Sequence, residues 1–597
     1  MARSRHADRI RSHRPGGGRR PQLVVAPWIT ASVIAAVVLA SVTVGYVMLA
    51  LSGCSGQVRA TIVAAPEISR VLDNLGRQWL RTEPAVEGTC AQVKVVSQDS
   101  AAVALALGPD WDPRRTGPRP DVWVPESTTW LQLASLDREA AEMIPDLQPN
   151  LARSPVVIAM PAPMAQALGW PERSLSWQDL ADDLATSEWA DHGHSEWGSF
   201  TLGLADPGAA TASLHALMAV ADPDDNGEIT SEESSAIGAL AERTRAYAAD
   251  TDTLLGELIT RGAEGQEEVL SYVSAFPALE RDVIDYNSSN PRVPLAAFYP
   301  SDGTADADFP YLILQAPWST AEKLEVAQLF LDYVRSEQGT QAFLNAGFRD
   351  FERRPGTEMT DENGVRARLD VYPRAALAPE LVSATLASWI GATRSINVLL
   401  AVDTSESMNT PLVGTDTPRL ELASAAARTA VELLGGRAQV GVWSFASGHG
   451  EGDTDYRELA SLGPLNAEGD DGLTRRDRIL SRLDDLEGEG DGEVYDTVLA
   501  AYTTLQENYV PDALNLVIIL TGGEHTDGAG LGAQELIQQL EAAADPEQPV
   551  RIITVGYGAG GQAETLERIS ATTGGWFYDA QYASEITSVF VDAALRR

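Results

Sequence analysis

The stretch VLLAVDTSESM, residues 398–408, is an apolar run that stops on an acid and then alternates hydroxyls with other residues. The run is short and has no polar face, which reads as a strand buried on both sides, the kind found in parallel sheets. Asp403, Ser405 and Ser407 follow at alternate positions in the loop after it. Alternation aims three oxygen-bearing side chains at one point, and a hard divalent cation such as Mg2+ takes oxygen ligands. The competing explanation is local: Asp and Ser side chains hydrogen-bond nearby backbone amides and hold a turn without any ion.

Working outward, the same rhythm of buried strand and helix fills the second half of the chain. INVLLAV (396–402), QVGVWSF (439–445), LNLVIILT (514–521) and VRIITVGYG (550–558) read as strands. TPRLELASAAARTAVELLGG (417–436) reads as a helix, with Pro418 near its first turn and Gly435 just past its end. EVYDTVLAAYTTLQENY and AQELIQQLEAAA are helical as well. The first half has its own series: TIVAA (61–65) leading into a helix near Pro66, then QVKVVS (92–97), DVWVP (121–125), VVIAMP (156–161), TLGLAD (201–206), LAAFYP (295–300) and YLILQAP (311–317). Strands alternating with helices predict parallel sheets in an α/β architecture. Residues 320–347 read as one helix ending at a glycine. Residues 349–364 read as loop, and a linker extends to about residue 390. At 597 residues the chain needs more than one core.

The charge is asymmetric. The whole chain carries −41, yet residues 1–21 hold seven arginines against the single Asp8. The remaining body is more acidic still and repels phosphate, which argues against nucleic acid as a partner. Residues 28–51, WITASVIAAVVLASVTVGYVMLAL, follow without a charge, long enough for a helix to cross a bilayer. Arginines on its N-terminal flank place that end in the cytoplasm and the body outside. The expected organisation is a basic tail (1–22), an anchor (23–53), an extracellular domain (58–388) and a second α/β domain (393–597). Two readings of the cysteines stay open. LSGC at 51–54 is similar to the lipobox of bacterial lipoproteins, in which Cys54 would be acylated. Alternatively Cys54 and Cys90, the only cysteines, form a disulfide in an oxidising exterior.

VLLAVDTSESM, VGVWSF, LVIILTGGE, ITVGYG and TGGWFYDA together resemble a von Willebrand factor A (VWA) domain. The resemblance implies a doubly wound, Rossmann-like sheet with a metal-ion-dependent adhesion site at its strand ends, where open α/β sheets bind ligands. In such a site two serines ligate the ion, the acid orients a water, and a partner carboxylate completes the coordination. The sequence departs from that pattern in the two other loops. Gly492 stands where the pattern has threonine, and Gly522 where it has aspartate. Asp491, Glu493, Glu524 and Asp527 are the nearby acids that could substitute.

The first half resembles bacterial extracellular solute-binding proteins of ABC-type transport. The resemblance rests on the order of VAAPEISRVLDNLG, PDVWVPESTTWLQ, ARSPVVIAMP, LGWPERSLSWQDL, LADPGAATASLHAL, FPALERDVIDYN and YPSDGTADADFPYLIL. It implies a type II, periplasmic-binding-protein-like domain whose two α/β lobes close on a ligand. Pro66, Glu126, Ser127, Ser154 and Asp206 would stand where loops of both lobes meet. Pro66 lacks an amide and Glu67 adds a negative charge at the same helix start, which disfavours an oxyanion there. Glu126 and Asp206 suit a cationic or neutral solute, or serve only as helix caps.

Residues 222–233, DPDDNGEITSEE, match the EF-hand loop pattern in full. Asp222, Asp224 and Asn226 occupy positions 1, 3 and 5. Gly227 makes the turn, Glu228 offers a carbonyl, Thr230 holds a water and Glu233 supplies the bidentate carboxylate. Ca2+ is the expected ion, stapling two flanking helices. The seven histidines are scattered, without a nucleophile elbow or zinc-helix motif, so an enzyme is not expected. The expected function is a membrane-anchored extracellular binding protein for a protein or cell-surface ligand. The alternative is a receptor that passes a small-molecule solute to an ABC-type permease.

Overall fold

The computed structural model describes residues 32, 35–43, 54–109, 111–222, 226, 231–369, 371–374, 378–448, 450, 454–523, 530–582 and 585–595. Among these residues no helix is long and apolar enough to cross a membrane. Most of the apolar stretch 28–51 lies outside them, and only residues 32 and 35–43 of it are seen, as helix.

The first lobe is built on β1 (Gln57–Ala64), β2 (Ala85–Val86), β3 (Thr89–Ser97), β4 (Val122–Val124) and, after the chain has visited the second lobe, β11 (Leu312–Ile313). Their order is β11–β4–β1–β3–β2, with β1 parallel to β3 and β4 and both edges antiparallel. Helices α1 (Pro66–Leu80), α2 (Ser100–Ala106) and α3 (Thr128–Ala134) each begin just past a strand. Pro66 opens α1 at a position where its missing amide costs nothing. Cys54 and Cys90 are disulfide-bonded, with Cα atoms 4.7 Å apart, tying the start of the domain to β3.

The second lobe does not follow the parallel expectation. Its central strand β5 (Ala152–Pro161) pairs antiparallel with β8 (Phe276–Leu279), β9 (Leu295–Phe298), β10 (Asp306–Ala307) and β12 (Arg349–Asp350). β6 (Leu202–Ala205) and β7 (Thr244–Ala248) form a parallel pair. Buried antiparallel strands have the same continuous apolar run as parallel ones, so the run alone does not give direction. Around them lie α4 (Thr211–Ala221), α5 (Ser231–Arg243), α6 (Thr251–Glu264) and α7 (Glu280–Ser288). Arg349 and Glu280 form a buried bidentate pair (2.6 and 2.8 Å) that joins β12 to α7. The chain then returns to the first lobe, where α8 (Ala321–Val334) packs on β1 and sets Phe330 against Trp79 of α1. The single helix expected over 320–347 is two: after Arg335, Ser336 caps a second helix, Glu337–Asn345. Gly339 there passes so close to the Val334 carbonyl that no side chain would fit.

The expected linker also holds a structural element. Pro379–Thr393 is a helix, α9, with ten of its fifteen residues buried. It packs on α3 of the first lobe and on α4 and α5 of the second. Its far side meets the C-terminal domain. There β13 (Ile396–Asp403), β14 (Gln439–Phe445), β15 (Tyr456–Ala460), β16 (Leu514–Thr521), β17 (Arg551–Gly556) and β18 (Phe577–Asp579) form one sheet in the order β15–β14–β13–β16–β17–β18. All neighbours are parallel except β15. Val398, Leu400 and Val402 face a core shared with α10 (Arg419–Leu433), α11 (Arg475–Asp484) and α15 (Ile586–Leu595). Leu399 and Ala401 face a core shared with α12 (Val494–Glu507), α13 (Ala533–Ala543) and α14 (Ala563–Thr572). Helices on both faces explain why β13 has no polar side. The order reverses between β13 and β16, so the doubly wound switch point lies at Asp403.

Helix α9 touches α10 backbone to backbone. A Cβ on Gly391 would lie 2.3 Å from the Leu433 carbonyl oxygen, and the Gly435 amide donates to the Gly391 carbonyl at 2.9 Å. Gly391→Ala is therefore expected to destabilise the protein by about 1–3 kcal/mol through overpacking. The check is the urea midpoint, and an unchanged value would mean that the two helices separate freely.

Candidate functional site

At the switch point, Asp403 is fully buried and its carboxylate is already engaged. One oxygen accepts the Ser405 amide at 2.9 Å, and the other accepts the Thr521 hydroxyl, from the end of β16, at 2.6 Å. Burial raises its pKa, and these hydrogen bonds act against the rise. Ser405 and Ser407 bring their hydroxyl oxygens 3.1 Å from each other. The neighbouring loop is fixed by its backbone: the Glu406 amide donates to the Gly490 carbonyl, the Glu489 amide to the Thr404 carbonyl, and the Ser447 amide to the Asp491 carbonyl.

The third side is different in kind. A Cβ on Gly522 would meet the Met408 sulfur at 3.1 Å and an Arg419 guanidinium nitrogen at 3.3 Å. A soft thioether and a cation thus stand beside the position of the pattern's aspartate. Among the described residues the donor set does not fit a three-loop divalent site, because the loop after β13 supplies the oxygens and a positive charge sits by Gly522. Glu524 and Asp527 lie outside the described residues. A separate group of acids, Asp455, Glu493 and Asp496, brings carboxylate oxygens within 4.8 Å of one another. Two of them serve backbone amides, Asp455 that of Gly448 and Asp496 that of Leu531. The sequence had singled out only Glu493 of the three. Asp496 stands three residues on, in the first turn of α12, as helical spacing allows, whereas Asp455 comes from the segment before β15 and its approach has no signal in spacing.

The EF-hand-like loop is described only in part. Asp222 is buried, and its carboxylate accepts the Asn226 amide at 2.9 Å. Helices α4 and α5 flank the loop, and the segment expected to continue α5 becomes strand β7 instead. Asp224, Glu228 and Thr230 lie outside the described residues, as does the side chain of Glu233.

Of the residues expected to meet a solute, Glu126 and Ser127 lie at the seam between the lobes, and these two, Ser154 and Asp206 each have a protein partner. Glu126 accepts a short hydrogen bond from Thr211, across the seam at the start of α4. Thr211 in turn accepts from the Trp130 indole at 2.7 Å. Ser127 caps α3 and lies 3.3 Å from His215 Nε2, while Thr129 Oγ1 lies 2.8 Å from the same nitrogen. Ser154 accepts the Arg281 amide at 3.0 Å. Asp206 faces Arg394 at 3.4 Å, at the entrance to the C-terminal domain. Pro66 is exposed. Two surface pockets lie away from these residues, one beside Arg77 and Arg81 and one beside Trp170 and Arg366.

The sequence reading had noted Glu67 only as a charge against oxyanions. In the structure it is half-buried, and its Oε2 is shut off from solvent with no hydrogen-bond partner among the described residues. Burial raises its pKa to about 7, and Asp282 and Asp252 add to the rise while Arg281 opposes it. Glu126 is pushed well up by burial, then by Glu67, Asp282 and Asp99. Asp282, from the second lobe, is raised to about 6 by burial, with Asp252 and Asp285 adding and Arg281 opposing. The Asp282 charge of the second lobe thus acts on both Glu67 and Glu126 of the first. Burial also pushes His215 down to about 4, and its Nδ1 has no hydrogen-bond partner.

With this geometry in place, the class of each half follows from family comparison. Residues 60–349 match the bacterial extracellular solute-binding protein family, and residues 397–591 match the von Willebrand factor type A domain. The chain carries a solute-binding-type domain followed by a VWA domain. Over 592 residues it is 25% identical to uncharacterized proteins of Mycobacterium tuberculosis strains H37Rv and CDC 1551, covering 95% of this chain and 82% of each relative. Among solved structures, it is similar to a periplasmic binding protein of Actinobacillus pleuropneumoniae with fructose-6-phosphate bound. That match is 14% identical, with a TM-score of 0.38, and covers 56% of this chain and 98% of the other. An iron-bound binding protein of Pseudomonas aeruginosa matches at 14% identity and a TM-score of 0.35, covering 54% and 95%.

The seam predicts a pH dependence with a definite sign. A carboxyl whose pKa is raised by closure contributes stability that is complete below its ordinary value and is lost as pH rises through the raised one. For Glu67 and Asp282 that loss runs from the ordinary carboxyl range up to about 7 and about 6. His215 acts oppositely, losing its contribution as pH falls from 6.5 through about 4. The melting temperature is therefore expected to fall as pH is raised from about 5.5 to about 8, and to fall less steeply in Glu67→Gln. Equal slopes in both proteins would remove the seam as the cause.

Proposed function

We propose that this chain is a membrane-anchored extracellular binding protein that recognises a protein or cell-surface ligand and is not an enzyme. The observation that carries this reading is the state of the seam: Glu126, Ser127, Ser154 and Asp206 all bond within the protein. The solute-binding-type domain then acts as a support, and the VWA loops form the recognition face. The uncharged stretch 28–51 with its arginine-rich flank supports a single-pass anchor, N-terminus inside. The Cys54–Cys90 disulfide supports an oxidising exterior for the body, with Cys54 unavailable for acylation while it is bonded. Recognition at the apex proceeds without the three-loop metal geometry and uses the rims around Asp403 and Gly490.

A second reading, a solute receptor for an ABC-type transporter, is favoured by one observation. Acids from both lobes converge at the seam, which suits a cationic solute. A thermal-shift series with organic amines, amino acids, sugars and oxyanions separates the two readings. The support reading expects shifts below about 1 °C throughout, whereas a bound solute at a hundred times its Kd adds about 2.7 kcal/mol, or several degrees. A several-degree rise with any solute would replace the first reading with the second.

The loop 222–233 is proposed to bind Ca2+ and to staple α4 to α5, supported by its full pattern match and flanking helices. Titration calorimetry is expected to show Ca2+ heat in the wild type and none in Glu233→Gln. Equal heat in both would place the ion elsewhere.

A further inference from the structure

The two lobes meet through α3 and α4, and opening a hinge at this seam must separate them. His215 and Thr211 of α4 are the groups that hold Thr129, Trp130 and Glu126 of the first lobe. All eleven residues of α4 are buried. It packs on α5, β8 and β5 of its own lobe and on α9, which lies on α3, α4 and α5 together. One rigid rod therefore bridges both lobes on the outside of the seam.

The VWA domain rests on the same rod. Helix α9 packs against α15 and α10, and Ser383 of α9 lies 2.9 Å from the Thr587 hydroxyl of α15. The second lobe also touches the VWA domain directly. Gly208, in the loop after β6, faces the end of α15 so closely that a Cβ would lie 2.4 Å from Leu595. In the same loop Asp206 faces Arg394, which follows α9. Behind it the Tyr247 ring lies near-parallel to Trp389 of α9, 6.2 Å between centres. The loop at which a solute-binding lobe would be read is thus covered by the neighbouring domain.

We infer that α9 and the VWA domain form a latch that holds the two solute-binding lobes closed, so that lobe opening and release of the VWA contact are one linked event. Opening the seam with the latch in place would strip α9 from one lobe and expose Leu386, Trp389 and Ile390, which are buried now. By linkage, a partner that displaces α15 favours open lobes, and a ligand that opens the lobes loosens the VWA domain to the same degree. The inference concerns closure alone and requires no partner, so it stands or falls apart from the recognition reading.

The test uses the full chain with spin labels at two exposed positions, Arg70→Cys in α1 and Glu264→Cys in α6. In the otherwise wild-type protein a single narrow distance is expected. Gly208→Leu with Arg394→Glu, which forces α15 off the loop, is expected to add a longer distance of at least comparable population. Leu595→Ala, which removes the contact without adding bulk, is expected to shift the distribution in the same direction by less. Hydrogen exchange in α15 reports that the contact has been released in each variant. A distribution that stays single and narrow while α15 exchanges faster would overturn the latch. So would an open and closed mixture in the unmutated background.

Discussion

The architecture depends on one helix that has no exposed face to spare. Residues 379–393 bury Leu381, Val382, Leu386, Trp389 and Ile390 on different sides, and even Ser383, Thr385 and Ser388 are buried. A helix apolar all round is stable only inside a core. Here three bodies share the work: two lobes on one side and the VWA domain on the other. The small residues follow from the same demand. Ser383 and Thr385 keep their hydroxyls bonded within helix reach or to α15, and Gly391 lets the chain approach α10 at backbone distance. Such a contact leaves little tolerance for rigid-body motion, because close-packed interfaces switch between discrete arrangements more readily than they deform.

At the apex of the VWA domain the Asp403 loop has a structural task of its own. Asp403 links the ends of β13 and β16 by accepting from Thr521, which closes the sheet at its switch point. An acid used in this way does not need an ion to be satisfied. The replacement of two side chains by Gly492 and Gly522 removes oxygen donors, and the space beside Gly522 is taken by Met408 and Arg419.

Much of the fold was legible because its central strands are buried on both faces. LNLVIILT at 514–521 is a strand over its full quoted length, and INVLLAV forms all but the last residue of β13. Direction was not legible: β5 has the same apolar run as β13, yet its neighbours run antiparallel. Nor was α9, since its Pro and Ala residues read as linker and its true partners lie in three separate segments. The site was legible only as a set of places. The loops did converge, but Glu126 finds Thr211 85 residues away and Ser127 finds His215 88 away. Pairings at that range leave no trace in local spacing, and Arg419 beside Gly522 is of the same kind.

The acids at the seam and the latch over it work against each other, and their balance sets how the closed form responds to its surroundings. Glu67, Glu126 and Asp282 are held together in a region where burial favours their neutral forms, with Arg281 the cation opposing the rise. As pH rises through the values burial imposes on them, negative charge accumulates on both lobes and disfavours their contact. The apolar contacts of α9 carry no charge and do not weaken with it. Below the transition, protons and latch both favour closure. Above it the latch alone opposes repulsion, so a partner that displaces the VWA domain has most leverage when the seam is ionised. Surface pH and a surface ligand would then act on one equilibrium.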